Sequence, residues 1–325
     1  MNNQVKLGIS IYSFAKEFYT RKYSVEDCIG HVASLGLEGF EVVGSQMVRG
    51  YPWPSEAFID AFKETCARNN VKLICYSANM DRGMRADRDL NDDEKFEYTL
   101  NDIVYAHKFG AKVMRAQYLV SPEVMERIAP YAEKYDIKVG IEMHSPEAPN
   151  TPKMLEYLET FRKTGSSHIG FVPDFGAFAD RPNKHFVNAQ LARGAHPEIV
   201  DYLTKARYED VPRAVAAETV QKMGANDADK TVLNGFYSFT AFKKPDFEGL
   251  KQIMPYCVHF HGKVYALDEN DDDICIPVDK LLPIIRDAGF DGYIMSEYEG
   301  TDRHVDTYDL LRRHIGMERR ILDQA

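Results

Sequence analysis

A carboxylate and an imidazole stand two residues apart at the end of a short apolar segment, residues 138–144. They are Glu142 and His144. Because side chains at i and i+2 of a strand share one face, both would project together from the carboxyl end of this strand. Burying an acid there is costly unless a hydrogen bond, a counter-charge or a cation compensates it. The pair therefore indicates either a salt-bridged core pair or part of a cation-binding site.

Three later segments also end in residues that can bind a metal. These residues are Asp174, the pair His259 and His261, and Glu297. A single acidic residue at a strand end is weak evidence, since such residues often cap helices or pair with arginines. Repetition over several strands favours one shared site.

Strand-like and helix-like segments alternate along most of the chain. Most strand-like segments lack polar alternation, which predicts a parallel sheet covered by helices. About eight strand–helix units are present, the number that closes a (β/α)8 barrel. We therefore predict an α/β fold, with residues 1–325 forming a single TIM-barrel domain. The predicted strands are residues 5–14, 39–45, 72–80, 112–119, 138–144, 169–178, 257–265 and 292–299.

The alternation is interrupted by a long insert, residues 179–245. Residues 196–208 and 211–224 are predicted to be helical, and residues 234–239 a packed loop. The insert follows the strand that ends in Asp174, so it emerges at the carboxyl face, where barrel active sites are built. We predict a lid or a partner-docking element, with an inert structural insert as the alternative.

In a barrel, residues that end neighbouring strands lie close together at one rim, even when they are far apart in sequence. The predicted fold therefore groups these residues into one candidate metal site. Glu142, Asp174, His261 and Glu297 would end strands five to eight. Carboxylates with one imidazole suit Mn²⁺, Mg²⁺, Co²⁺ or Zn²⁺, and Mn²⁺ is our first choice. His259 shares a face with His261, so either histidine is a candidate ligand. We favour His261, nearer the carboxyl end, and leave His259 as an orienting or substrate-binding group.

Two further residues are candidates for substrate binding. Arg115, on the fourth strand, either binds a substrate oxygen or pairs with Glu41 across neighbouring strands. Tyr12, on the first strand, either stacks on a sugar face or fills the barrel rim.

Composition narrows the class of partner. The chain has 325 residues and a net charge of -10, which disfavours nucleic acid or an anionic membrane as the main partner. A neutral or polyhydroxylated ligand fits better. Five scattered cysteines without C-x-x-C spacing indicate reduced thiols rather than a disulfide framework. With no signal-like leader and no apolar run near 18 residues, we expect a soluble, cytoplasmic protein.

The metal-site pattern resembles the xylose isomerase-like barrel superfamily, which includes sugar epimerases, inosose dehydratase and endonuclease IV. In its epimerases a Glu, an Asp, the second His of His-x-His and a Glu end strands five to eight and hold one divalent metal. The resemblance assigns these roles to Glu142, Asp174, His261 and Glu297. The epimerases also place a substrate-binding His three residues beyond the Asp. That position is Ala177 here, which speaks against simple ketose 3-epimerisation.

Residues 141–146 (IEMHSP), residues 171–176 (FVPDFG) and the long insert resemble the α subunit of bacterial C-glycoside deglycosidases. The resemblance implies cleavage of the carbon–carbon bond between a 3-oxo-sugar and an aromatic aglycone, in a hetero-oligomer with a small β subunit. It also implies that His144 is the general base that removes the proton beside the ketone, while the metal stabilises charge on oxygen. The alternative for His144 is an imidazole that only hydrogen-bonds a metal-bound carboxylate.

Three functions remain open from sequence. The first is a metal-dependent lyase acting on 3-oxo-C-glycosides. The second is a metal-dependent sugar isomerase, epimerase or inosose-type dehydratase, and the third is a non-catalytic sugar-binding scaffold subunit. The complete set of four metal-binding residues speaks against the third.

Overall fold

The computed structural model describes residues 5–81, 84–117, 119–238, 242–300, 302 and 304–324. Its strands are β1 (Lys6–Ser10), β2 (Gly39–Val43), β3 (Lys72–Ser77), β4 (Val113–Ala116), β5 (Lys138–Met143), β6 (Ile169–Pro173), β7 (Phe260–Val264) and β8 (Tyr293–Tyr298). They form one 8-stranded sheet in the order β6-β5-β4-β3-β2-β1-β8-β7, and neighbouring strands pair in parallel. This confirms the predicted TIM barrel.

The barrel closes between β6 and β7 without a regular ladder. In the described residues, two isolated parallel bridges join these edges, Phe171 to Cys257 and Asp174 to His261. The backbone N–H of Val258 also donates to the carbonyl of Phe171 at 2.9 Å. Closure therefore brings Asp174 and His261, two of the predicted metal ligands, side by side.

Helices surround the sheet and begin where capping residues predict. Ser24 and Asn91 each form a capping box, and Ser121 accepts a hydrogen bond from the backbone N–H of Val124. The α-helices of the described chain are α1 (Ala15–Tyr19), α2 (Val25–Ser34), α3 (Gly44–Met47), α4 (Glu56–Arg68), α5 (Asp92–Phe109), α6 (Pro122–Tyr135), α7 (Pro152–Thr164), α8 (Lys184–Ala192), α9 (Pro197–Tyr208), α10 (Arg213–Lys222), α11 (Asp227–Phe236), α12 (Phe247–Ile253), α13 (Val278–Asp287) and α14 (Thr307–Asp323).

Several strands end earlier than predicted. The first prediction, residues 5–14, is β1 followed by a 3-10 helix at Ile11–Phe14. The sixth, residues 169–178, is β6 followed by a 3-10 helix at Phe175–Phe178. Most residues of these short helices are buried, as the strand residues before them are. The apolar segment in the sequence therefore runs past the end of the strand and does not show where the strand ends.

The insert contains four helices, α8 to α11, in the part that the structure describes. It leaves the barrel at Ala179 and returns at Lys243, whose backbone N–H donates to the Ala179 carbonyl at 2.9 Å. The predicted loop at residues 234–239 is wrong at its start, because α11 continues to Phe236. A capping box at Asn226 and the burial of the apolar face stabilise that helix. Residue 239 lies outside the described residues.

No described helix combines the length and the apolar character needed to cross a membrane. All five cysteines are free thiols.

A buried polar group behind β8 gives a prediction about stability. The Ser296 hydroxyl donates to Glu318 at 2.9 Å, and His314 Nδ1 lies 3.0 Å from the same hydroxyl. Burial raises the pKa of Glu318 to about 8 and lowers the pKa of His314 to about 3. The fold therefore favours both groups in their neutral forms.

Replacing Glu318 by Gln should make the free energy of unfolding less dependent on pH. Because the folded pKa of Glu318 lies above the unfolded one, its contribution is present in acid and is lost as pH rises from about 4.5 to about 8. We expect the variant to gain stability relative to the parent over this window, by up to roughly 1.4 kcal/mol per pH unit. Denaturant titrations at pH 5 and pH 8 measure this, and an equal difference at both values would contradict it.

Candidate active site

A cavity of ≈ 500 Å³ opens at the carboxyl end of the barrel. Ionisable residues of four strands or of the segments that follow them line it, together with Tyr12 from the 3-10 helix after β1. Apart from Tyr12, the ionisable residues are Arg115, Glu142, His144, Glu147, Lys153, Lys263, Glu297 and Glu299. The volume lies within the range of small-ligand sites. A cavity so rich in charge suits a polar ligand.

The structure brings together the four residues predicted to bind a metal. Glu142, Asp174, His261 and Glu297 each offer one donor atom, and these atoms lie within 4.8 Å of one another. Asp174 and His261 are fully buried, whereas Glu142 and Glu297 line the cavity. The group therefore reaches the cavity through Glu142 and Glu297.

The imidazole of His261 contacts carboxylates through both nitrogens. Its Nδ1 lies 2.9 Å from Glu142, 3.6 Å from Glu297 and 3.8 Å from Asp174. Its Nε2 lies 3.0 Å from Glu41 Oε2. Nδ1 is thus the nitrogen that faces the other three candidate ligands.

Two observations test whether these residues fit a cation. Asp174 Oδ2 and His261 Nδ1 are buried and make no hydrogen bond within the described chain, although charged groups lie close to them. The buried and half-buried acids also outnumber the permanent cations, since Arg115 and Lys263 face a larger set of carboxylates: Glu41, Glu142, Asp174, Glu297 and Glu299. Three carboxylates and one imidazole are suitable donors for Mn²⁺ or a similar divalent ion. The residues fit the metal that the sequence predicts.

Sequence reasoning missed Lys263 as part of this site. Its ammonium lies 2.7 Å from Glu297, 2.8 Å from Glu299 and 3.1 Å from Asp174. Lys263 is paired with Glu297 in the register of β7 and β8. The i, i+2 rule could have found it, because Lys263 follows His261 by two residues, as Glu299 follows Glu297.

The pKa shifts show how strongly these groups interact. Burial alone would lower the pKa of His261, but Glu41 and Glu297 hold it well above its ordinary value. Burial would raise the pKa of Glu142, yet Arg115 and His261 hold it below its usual range. Burial raises the pKa of Glu297. A protonated His261 would therefore offset part of the negative charge of these carboxylates.

His144 lies just after β5 and lines the cavity beside Glu142. Its Nδ1 lies 2.8 Å from the carbonyl oxygen of Ser145. Because a carbonyl only accepts hydrogen bonds, this contact places the proton of a neutral imidazole on Nδ1. Nε2 is then the nitrogen whose lone pair a general base would use.

The other predicted residues divide between the cavity and the core. Arg115 lines the cavity, donates to Asn79 Oδ1 at 2.8 Å, and has its ion pair at 3.7 Å with Glu142 rather than with Glu41. Tyr12 also lines the cavity; burial, with Glu299 and Glu297 nearby, raises its pKa to about 12.

His259 takes a different position from His261. It is fully buried, and its Nε2 lies 3.3 Å from Glu41 Oε2. It is absent from the group formed by Glu142, Asp174, His261 and Glu297, and from the lining of the cavity as described. The geometry thus favours His261 as the ligand and disfavours direct substrate contact by His259.

Comparisons with known proteins agree with the fold. The model of the xylose isomerase-like TIM barrel family matches residues 29–315. Among solved structures, D-psicose 3-epimerase from Clostridium cellulolyticum H10 superposes with a TM-score of 0.59 at 12% identity, over 98% of this chain and 99% of that chain. At that identity the likeness concerns the fold alone.

Two curated relatives are similar over most of their length. The 3'-dehydrocarminate deglycosidase alpha subunit of Microbacterium sp is 33% identical, over 91% of this chain and 88% of the relative. The C-glycoside deglycosidase alpha subunit of Microbacterium trichothecenolyticum is 30% identical, over 90% of this chain and 83% of the relative. The chain therefore belongs to the xylose isomerase-like TIM barrel family, in the group that contains the alpha subunits of C-glycoside deglycosidases.

Proposed function

We propose that this protein is the catalytic α subunit of a C-glycoside deglycosidase, a metal-dependent lyase acting on 3-oxo-C-glycosides. The observation that carries the proposal is the position of His144, which lines the same cavity as Glu142 and Glu297 of the candidate metal group. The names of the two curated relatives supply the class of substrate.

The reaction begins with proton removal, for which the ketone at sugar C3 makes the C2 proton acidic. His144 Nε2 accepts that proton. A C1–C2 double bond then forms as the bond from C1 to the aglycone breaks, and the aglycone leaves with the bonding electrons and takes up a proton. A divalent metal held by Glu142, Asp174, His261 and Glu297 would supply Lewis-acid stabilisation of negative charge on oxygen.

Other residues of the cavity would bind and orient the sugar. Arg115 and Lys263 present positive charge to substrate oxygens, and Tyr12 offers an aromatic face at the rim. Mn²⁺ is the metal that we propose, with Mg²⁺, Co²⁺ or Zn²⁺ as alternatives.

We further propose that residues 179–245 serve as a lid or as the docking surface for a small β subunit. Lys243, where the insert returns, donates from its ammonium to the carbonyls of Pro146 at 2.6 Å and Glu147 at 3.1 Å. These carbonyls belong to the loop that follows His144. A partner that moves the insert would therefore act directly on the loop beside the proposed base. The free thiols fit a reducing compartment, and we place this assembly in the cytoplasm.

The main alternative is a sugar isomerase, epimerase or inosose-type dehydratase, which would also begin by removing a proton beside a carbonyl. D-psicose 3-epimerase, with a similar fold, is an enzyme of this kind. Against it, the position of the epimerases' substrate-binding histidine is Ala177, which is buried and carries no polar group. A scaffold subunit would have no need for the assembled group of four ligands.

Product analysis separates these functions. The chain, co-expressed with its small partner subunit and loaded with Mn²⁺, is incubated separately with a 3-oxo-C-glucoside and with a free ketose. We expect the free aglycone from the first substrate and no epimer from the second, measured by liquid chromatography and mass spectrometry. Epimerisation of the ketose without aglycone release would favour the alternative, and no reaction with either substrate would favour a scaffold.

A further inference from the structure

We propose that Glu41 is a positioning residue, which fixes the orientation and the tautomer of His261. The inference rests on the proposed function, because the purpose of this orientation is to direct His261 Nδ1 at the metal. Nothing in the strand pattern alone assigns a role to Glu41, the single charged residue of β2.

The first step is the contact between the two side chains. Glu41 and His261 are both 0% exposed, and Glu41 Oε2 lies 3.0 Å from His261 Nε2. The opposite nitrogen, Nδ1, faces Glu142 and the other candidate ligands. Glu41 therefore contacts the imidazole on the side away from the proposed metal.

The second step is what holds the carboxylate in place. Glu41 Oε1 accepts hydrogen bonds from the hydroxyls of Ser10, at 3.2 Å, and Ser77, at 2.9 Å. Ser10 is the register partner of Glu41 on β1, and Ser77 ends β3 on the other side. Hydroxyls from both neighbouring strands thus fix the side chain without help from solvent.

The third step is the tautomer. An ionised carboxylate only accepts hydrogen bonds, so once a metal rather than Glu142 is the partner of Nδ1, Glu41 Oε2 at 3.0 Å favours a neutral imidazole with its proton on Nε2. The lone pair then lies on Nδ1, where metal binding needs it. Carboxylates that orient metal-binding histidines in this way contribute roughly 10- to 100-fold to metal affinity.

A competing interpretation makes Glu41 a ligand itself. Glu41, Cys75 and His259 are all buried and offer donor atoms within 4.8 Å of one another, so they form a second group able to hold a metal. Glu41 Oε2 is the atom nearest to both histidines, at 3.0 Å from His261 and 3.3 Å from His259. An oxygen bound to a second metal would compete with its hydrogen bond to His261. The two interpretations therefore differ in metal stoichiometry.

The experiment measures Mn²⁺ binding to the purified full chain by electron paramagnetic resonance of the free ion. Glu41→Leu removes the acceptor, and Glu41→Gln keeps a neutral amide that can still accept. Glu318→Leu is the matched control, because Glu318 is an equally buried carboxylate behind β8. Thermal unfolding of the metal-free proteins shows whether a substitution destabilises the fold as a whole.

We expect one Mn²⁺ per wild-type chain. Glu41→Leu should weaken Mn²⁺ affinity roughly 10- to 100-fold, and Glu41→Gln should weaken it less. The Glu318 control should keep the wild-type affinity.

Mn²⁺ affinity within twofold of wild type in both Glu41 variants would overturn the inference and leave the proposed metal site intact. If Glu41→Leu does not fold, Glu41→Gln alone decides. Two ions per wild-type chain, falling to one in Cys75→Ser, would make Glu41 a ligand and also overturn it. A wild-type chain that binds no Mn²⁺, Co²⁺ or Zn²⁺ would overturn the metal-dependent function itself.

Discussion

His144→Ala should lower turnover of a 3-oxo-C-glycoside by roughly 10²- to 10⁴-fold, the range expected for loss of a general base. The side chain lines the cavity beside Glu142, and its contact with the Ser145 carbonyl presents Nε2 as the basic nitrogen. Metal content should stay at the wild-type level, because the four proposed ligands are unchanged. The paired measurement is metal content and solvent-deuterium exchange at the proton beside the substrate ketone.

A matched histidine substitution provides the control for this experiment. His168 precedes β6 and lies at the opposite, amino-terminal end of the barrel. His168→Ala should keep both turnover and exchange. Exchange at the parent rate in His144→Ala would show that the base lies elsewhere. Loss of metal in that variant would instead assign His144 to orienting a ligand.

Removing one metal ligand should abolish metal binding and activity together. Asp174→Ala deletes a donor that no neighbouring carboxylate can replace without moving, since Glu142 and Glu297 already belong to the same group. A bound divalent ion supplies several kcal/mol of charge stabilisation in reactions of this kind. Because about 1.4 kcal/mol corresponds to tenfold in rate, we expect at least a roughly 10²-fold loss of turnover. Elemental analysis of the purified variants measures the metal.

The control for this loss is another acid of the cavity. Glu299 contacts Lys263 at 2.8 Å but is not one of the four grouped ligands. Glu299→Gln should therefore retain metal even if it alters turnover. Full metal occupancy in a His261→Ala protein would contradict the assignment and transfer the role to His259. Full occupancy in Asp174→Ala would remove Asp174 from the ligand set.

The sequence predicts the fold well because apolar strand-like segments and helix-like segments alternate regularly along the chain. It also predicts the grouping of Glu142, Asp174, His261 and Glu297, since the carboxyl ends of parallel strands must meet at one rim. The choice between His259 and His261 needs coordinates. In the structure His259 precedes β7 and is absent from the group of four, whereas His261 directs its Nδ1 at the other three residues.

Strand ends and cross-strand partners could not be predicted in the same way. Ile11 and Phe175 are as buried in their 3-10 helices as strand residues are, so hydrophobicity gives no boundary there. The ion pair of Arg115 depends on side-chain conformation. From the sequence its possible partner is Glu41, and in the structure the partner is Glu142 at 3.7 Å.

At the irregular junction between β6 and β7, a bound metal would also have a structural role. Elsewhere, strand pairs continue over several residues, but at this junction only isolated bridges join the described edges, and one of them pairs Asp174 with His261. An ion bound by both residues would act as a cross-link between the two edges of the sheet. The long insert leaves the barrel at the same junction, after β6. Binding of the ion would then strengthen a closure that isolated backbone bridges otherwise hold, so that a chain without metal would be weakest where the insert is attached.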